Sequence, residues 1–217
     1  MNIFGNIRNI MTVALIGVSM SVSAQKFEFF DPDSDRSQTK GSVLRLRTNL
    51  LHDVVLCPNI GLEVQLGNGL AWQLDYGEAW WNSFETNKFY SVIYFQAEFR
   101  KYFGKWSYVG PYRGHHVGMY IQMGAFDLEN GGKGYISPEF DNNVGFGLSY
   151  GYSFRLNNRL SLDCTLGAGY ASSIYEGYRP VGKRYVSTGW RKKTWIGPTK
   201  LEASLVWNIS KKNKNRR

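Results

Sequence analysis

The chain has 217 residues, a net charge of +9 and 16% aromatic residues, with a mean hydropathy of −0.35. Beyond the first 24 residues nothing approaches the roughly 18 apolar residues of a membrane-spanning helix, and two cysteines are too few for a disulfide-built secreted scaffold. A basic chain can bind nucleic acid, but here the excess gathers in Lys211–Arg217 and Arg179–Lys193 of a chain that reads as exported, so no nucleic-acid partner is expected.

Met1–Ala24 has the order of a secretory signal: Arg8 in a short front part, an apolar run from Ile10 to Val22, then Val22-Ser23-Ala24. Cleavage is expected after Ala24. Residues 25–42 are polar, with Asp31-Pro32-Asp33, and read as a periplasmic lead-in. Residues 43–210 then alternate, and 211–217 form a basic tail.

Eight alternating segments are predicted. The first, Val43–Leu51, sets Leu44, Leu46, Thr48 and Leu50 against Arg45, Arg47 and Asn49. Asn59–Leu66 opposes Ile60, Leu62, Val64 and Leu66 to Gly61, Glu63 and Gln65, and Gly67-Asn68-Gly69 is a hairpin signal. Leu70 to about Ala79 sets Trp72 and Leu74 against Gln73 and Asp75, and about Tyr90–Phe103 sets Phe95 and Phe99 against Gln96, Glu98 and Arg100. About Gly114–Phe126 carries Val117, Met119, Ile121 and Met123 on one face. The sixth, Asn143–Leu156, is the most regular: large apolar residues from Val144 to Leu156 alternate with Gly145, Gly147, Ser149, Gly151, Ser153 and Arg155. Arg159–Tyr170 and about Thr199–Ile209 complete the set.

Successive strand residues face opposite sides of a sheet. One face of these strands is oily and the other small, polar or ionic, which suits a barrel in lipid whose oily face points outward. The expected fold is therefore all-β: an eight-stranded antiparallel up-and-down transmembrane β-barrel. An even strand number leaves both ends on one side and lets the last strand close on the first, as a membrane requires. Connections two and six are short, as periplasmic turns should be; connection four, about Gly104–Arg113, is longer than that pattern expects. A barrel of this size has room inside only for side chains. Arg45, Arg47, Arg100, Arg155 and Lys200 are expected to pair there with Glu63, Asp75, Glu98, Asp163 and Glu202 as a plug. Cys57, in a loop, and Cys164, on the lipid face, are expected as free thiols.

Several stretches resemble a family of outer-membrane barrels of bacteroidete-type Gram-negative bacteria, the domain of unknown function numbered 3575. They include Leu46-Arg47-Thr48-Asn49-Leu50-Leu51-His52-Asp53, Pro58-Asn59-Ile60-Gly61-Leu62-Glu63, Gly114-His115-His116-Val117-Gly118, Gly131-Gly132-Lys133-Gly134-Tyr135, Gly197-Pro198-Thr199-Lys200 and Ser204-Leu205-Val206-Trp207. The resemblance implies an outer-membrane barrel with no established activity and no catalytic residues to carry over. Through members encoded near fimbria-type surface proteins, it also implies a role in surface assembly. His52 stands where the family often has Tyr.

Chemistry-bearing motifs are sparse, and no cofactor or metal is expected. Adjacent His115 and His116 should point to opposite faces, which disfavours a shared metal and favours rim or lumen hydrogen bonds. His52-Asp53 could supply two parts of a hydrolase triad with Ser83 or Ser172. Gly131-Gly132-Lys133-Gly134 lacks the Ser/Thr and helix of a phosphate loop. The run Arg179, Lys183, Arg184, Arg191, Lys192 and Lys193, mixed with Tyr178, Tyr185 and Trp190, reads as an outer loop. Its basic residues would meet lipopolysaccharide phosphates.

The leading expectation is a non-enzymatic outer-membrane barrel. Its lipid and lipopolysaccharide surroundings, and cell-surface or fimbrial proteins, are the expected partners. An outer-leaflet lipid-modifying enzyme of lipid A hydrolase or acyltransferase type is the second reading. A soluble secreted ligand-binding β-barrel is the third, and it would need the two faces reversed.

Overall fold

The computed structural model describes residues 43–83, 88–104, 112–181 and 184–209. The expected signal peptide (1–24), lead-in (25–42) and basic tail (211–217) lie outside the described residues. So does Lys183.

The described residues form nine strands: β1 (Val43–Asn49), β2 (Asn59–Gly67), β3 (Leu70–Ser83), β4 (Lys88–Phe103), β5 (Gly114–Asn130), β6 (Gly134–Ser137), β7 (Asn143–Arg155), β8 (Leu160–Val181) and β9 (Arg184–Asn208). A short helix, α1 (Leu50–Val54), joins β1 to β2, and a single 3-10 turn (Phe140–Asn142) precedes β7. Among the described residues no helix is long and apolar enough to cross a membrane.

All the pairings are antiparallel. They run β1–β2–β3–β4–β5–β7–β8–β9 and return from β9 to β1, so eight strands make a closed circuit. The ninth, β6, pairs β5 through Phe126–Glu129 and β8 through Glu176–Tyr178. It fills the place between those strands beyond the start of β7.

The turns follow from local chemistry. Asn68 (φ 51°) and Gly69 (φ 76°) take the left-handed conformations of a tight hairpin. Asn157 Oδ1 accepts from the amides of Arg159 and Leu160, both at 2.7 Å, and so closes the β7–β8 turn. Asn49 caps α1 by accepting from the Leu51 amide at 3.2 Å.

Register makes the alternation continuous around the circuit. Leu44 lies opposite Val64, then Trp72, Phe99, Met119, Leu148 and Ala168 follow strand by strand. This row is on the solvent-facing side: Trp72 is 49% exposed, Met119 61% and Leu148 65%. The opposite face is closed off, with Glu63, Glu98, Arg100 and Asp163 at 0%. Large apolar side chains therefore surround an ionic interior, the inverse of a soluble protein.

Four expectations need correction. β1 ends at Asn49 rather than Leu51, because the Asn49 cap starts a helix. The sheet has nine strands, the added one being β6. Arg179–Lys193 is not a loop. It belongs to two long strands, β8 of 22 residues and β9 of 25, paired as one hairpin. Arg155 does not reach the interior; it lies at the β7–β8 turn, bonded to the Asn157 carbonyl and the Asn158 side chain.

Candidate functional site

The interior is built from inward positions of six strands. Arg45 and Arg47 come from β1, Glu63 from β2, Asp75 from β3, Glu98 and Arg100 from β4, Asp163 from β8, and Lys200 and Glu202 from β9. Arg45 and Glu63 are direct cross-strand partners, and their side chains meet at 2.9 Å. Arg47 reaches Asp75 at 3.3 Å and Glu202 at 2.9 Å. Arg100 crosses the interior to Asp163 at 3.0 Å, Glu98 at 3.0 Å and Glu202 at 3.4 Å. Lys200 binds Glu98 and, at 3.1 Å, Glu202.

Neutral groups occupy remaining carboxylate lone pairs. Tyr102 donates to Glu63 at 3.1 Å, Thr165 to Asp163 at 2.8 Å, Gln96 to Glu202 at 2.7 Å and Ser149 to Glu98. Such extensive pairing is the condition under which so many ions tolerate burial.

Glycines on β7 and β8 give these side chains room. A Cβ on Gly147 would sit 2.6 Å from the Tyr120 hydroxyl, and one on Gly151 would sit 2.6 Å from His116 Nε2. The small face of β7 is thus the counterpart of the bulky residues opposite.

The adjacent histidines separate. His116 is buried, its Nε2 3.2 Å from Asp163. His115 is exposed, its Nδ1 2.6 Å from the Tyr150 hydroxyl, and stacks on Phe103.

At the end of the strand circuit that carries α1, His52 places Nδ1 2.5 Å from the Tyr94 hydroxyl, with the rings edge to face. Burial lowers the His52 pKa, against the attractions of Glu202, Asp53 and Asp75. Asp53 instead accepts from Thr48 at 3.0 Å and Asn59 at 2.9 Å, and its burial raises its pKa. His52 and Asp53 are thus engaged with different partners. Ser83 pairs with Lys88 at the C-terminal end of β3, and Ser172 with Thr194 on the β8–β9 hairpin. Cys57, buried at this rim, and Cys164, half-buried, are free thiols.

Above the ionic plug lies a cavity of about 810 Å³. Gln96, Lys200 and Glu202 reach its floor, and Tyr90, Tyr94, Tyr175 and Trp195 stand in its walls with His52 at one side. Sequence reasoning missed it, because its walls come from the ends of β4, β5, β7, β8 and β9 on the α1 side, where alternation fades. A bulge in β9 between Pro198 and Lys200 shifts the face pattern. Thr199 there meets the Tyr120 hydroxyl, and beyond it Trp195 and Lys193 turn to the cavity side. The basic run is split accordingly: Lys193 lines the cavity, while Lys192, opposite Ile174, takes the other face. Arg191–Lys193 are all exposed, as is Arg179. Arg184 opens β9 opposite Val181.

The sequence model of a family described as "Protein of unknown function (DUF3575)" matches residues 11–209. Comparison with curated proteins finds no match. Among solved structures, the chain is similar to Neisserial surface protein A (NspA). The identity is 14% and the TM-score 0.38, with 77% of this chain and 93% of that chain covered.

Proposed function

We propose that the chain, which belongs to the DUF3575 family, is an integral outer-membrane protein, an eight-stranded transmembrane β-barrel plugged by its own ions. The observation that carries this reading is the inside-out distribution. Leu62, Leu74, Ile121, Phe146, Leu166 and Leu201 are 44–63% exposed, while Arg45, Glu63, Glu98, Arg100 and Asp163 are at most 1% exposed. Water would expel that surface, whereas a bilayer accepts it. Closure satisfies every strand edge within lipid, and β6 continues the β7 line beyond the bilayer. The packed interior supports no wide channel, and His52 and Asp53 are engaged with different partners, Tyr94 for the one and Thr48 and Asn59 for the other. The protein is a non-enzymatic surface barrel that presents its outer ends for interaction or assists assembly of surface structures such as fimbriae.

Expression in a Gram-negative host tests this. The chain is expected in the outer-membrane fraction, migrating differently on a gel before and after boiling. A soluble periplasmic protein with unchanged mobility would sink the proposal.

Of the basic residues Arg179, Lys183, Arg184, Arg191, Lys192 and Lys193, those outside the cavity are proposed to meet lipopolysaccharide phosphates, Lys193 standing at its wall. Support comes from the exposure of Arg191–Lys193 just beyond Ile196, which is 80% exposed at the edge of the apolar belt. Neutralising all six should reduce lipopolysaccharide co-purification, and an unchanged yield refutes the contact.

A further inference from the structure

We propose that the cavity above the plug is a binding site for a small organic anion, a carboxylate carried on a ring. It has a volume of about 810 Å³, within the range of small-molecule sites, and barrel mouths are a usual place for them. The ionic cluster beneath it is buried, so the cavity is blind and holds its occupant rather than passing it through.

Its chemistry is divided. Tyr90, Tyr175 and Trp195 offer ring faces, and the Trp195 indole is held by donating to the Pro198 carbonyl at 3.1 Å. Gln122 and Asn143 add amides to the lining. Two cations reach the space. Lys200 is spent on Glu98 and Glu202 at the floor. Lys193 lines the wall two residues from Trp195, and no ion pair joins it to any described residue. A cation with no ion pair among the described residues, beside ring faces, fits an anion whose body stacks and whose charge meets the ammonium. One available ammonium in the described lining favours one carboxylate over a polyanion.

Strand geometry supplies an internal control. Lys192 has the same charge one residue away but lies on the opposite face. A general electrostatic attraction would use both lysines; a site in the cavity uses Lys193. The site rests on the cavity's own geometry. Only its access from the cell exterior depends on the outer-membrane reading, which the fractionation tests separately.

The full-length chain refolded in detergent micelles is titrated with two matched pairs of nitroaryl quenchers of tryptophan emission. One pair is 4-nitrobenzoate against neutral 4-nitrobenzyl alcohol. The other is 4-nitrophenyl glucuronide against the neutral glucoside. Saturable quenching is expected from at least one anion, about tenfold tighter than from its neutral partner. Quenching by 4-nitrobenzoate alone assigns an aryl acid, by the glucuronide alone an acidic sugar, and by both the shared ring carboxylate. Lys193→Glu and Lys193→Gln should weaken binding about tenfold or more, Lys192→Glu should leave it unchanged, and Trp195→Phe should remove most of the signal. Each variant is checked for the folded gel mobility. The proposal is overturned if neither anion saturates, if neutral partners bind as well, or if Lys192→Glu weakens binding as much as Lys193→Glu.

Discussion

Arg100 shows what single residues contribute to the interior. It is fully buried and contacts Glu98, Asp163 and Glu202. Arg100→Met would leave three carboxylates short of a counter-charge, and removing one partner of a buried pair typically costs about 3–5 kcal/mol. The variant should unfold at markedly lower urea in lipid vesicles, whereas Lys192→Met should unfold like the parent. A second residue-scale test concerns His52. Burial depresses its folded pKa, so the unfolded chain binds the proton more readily. The stability it contributes is complete above the unfolded value of about 6.5 and is lost as pH falls below it, toward the folded pKa. The protection of the α1 amides, taken as the intrinsic exchange rate at each pH divided by the observed rate, should therefore fall through that range. His52→Gln should flatten the response, and an equally steep response in that variant refutes the assignment. The pairing of the ions was only half legible at this scale. Alternation gives the face of Arg47, but that its guanidinium meets Glu202, 155 residues away, depends on how β1 and β9 lie together.

Strands carry two different surfaces, and substitutions should reflect which one they touch. Leu148 on β7 is 65% exposed on the belt. Leu148→Arg should cost about 2–4 kcal/mol if that position lies near the bilayer midplane. On the other face of the same strand, Gly147→Val would press on the Tyr120 hydroxyl, and such overpacking typically costs about 1–3 kcal/mol. Both losses are readable as lower refolding yields into vesicles, and no loss for Leu148→Arg would contradict the lipid-facing assignment. The cores of β2 to β5 and of β7 were legible because each needs one oily and one polar face throughout. The ends of β8 and β9 next to their shared hairpin were not. Both faces of the basic run there are open to solvent, with Arg191–Ile196 exposed without interruption, so no burial pattern marks the strand. β6 is four residues long and gives too little periodicity to read.

Closure is the property of the whole molecule. β9 pairs β1 from Arg45–Asn208 to Asn49–Ser204, joining chain ends that are otherwise far apart in sequence. A chain stopped after Thr199 would leave edges of β1 and β8 unpaired in lipid, where each unsatisfied backbone group is costly. It should give no heat-modifiable species, and a folded band from that truncation would argue against the closed circuit. The sequence by itself determined the all-β class and, along most strands, which residues face outward or inward, because a period of two is a local property of each strand. Tertiary structure alone decided the ion partners, the bulge that turns Lys193 inward and the cavity it lines. Those depend on register and on the crossing of strands distant in the chain, which no local pattern encodes.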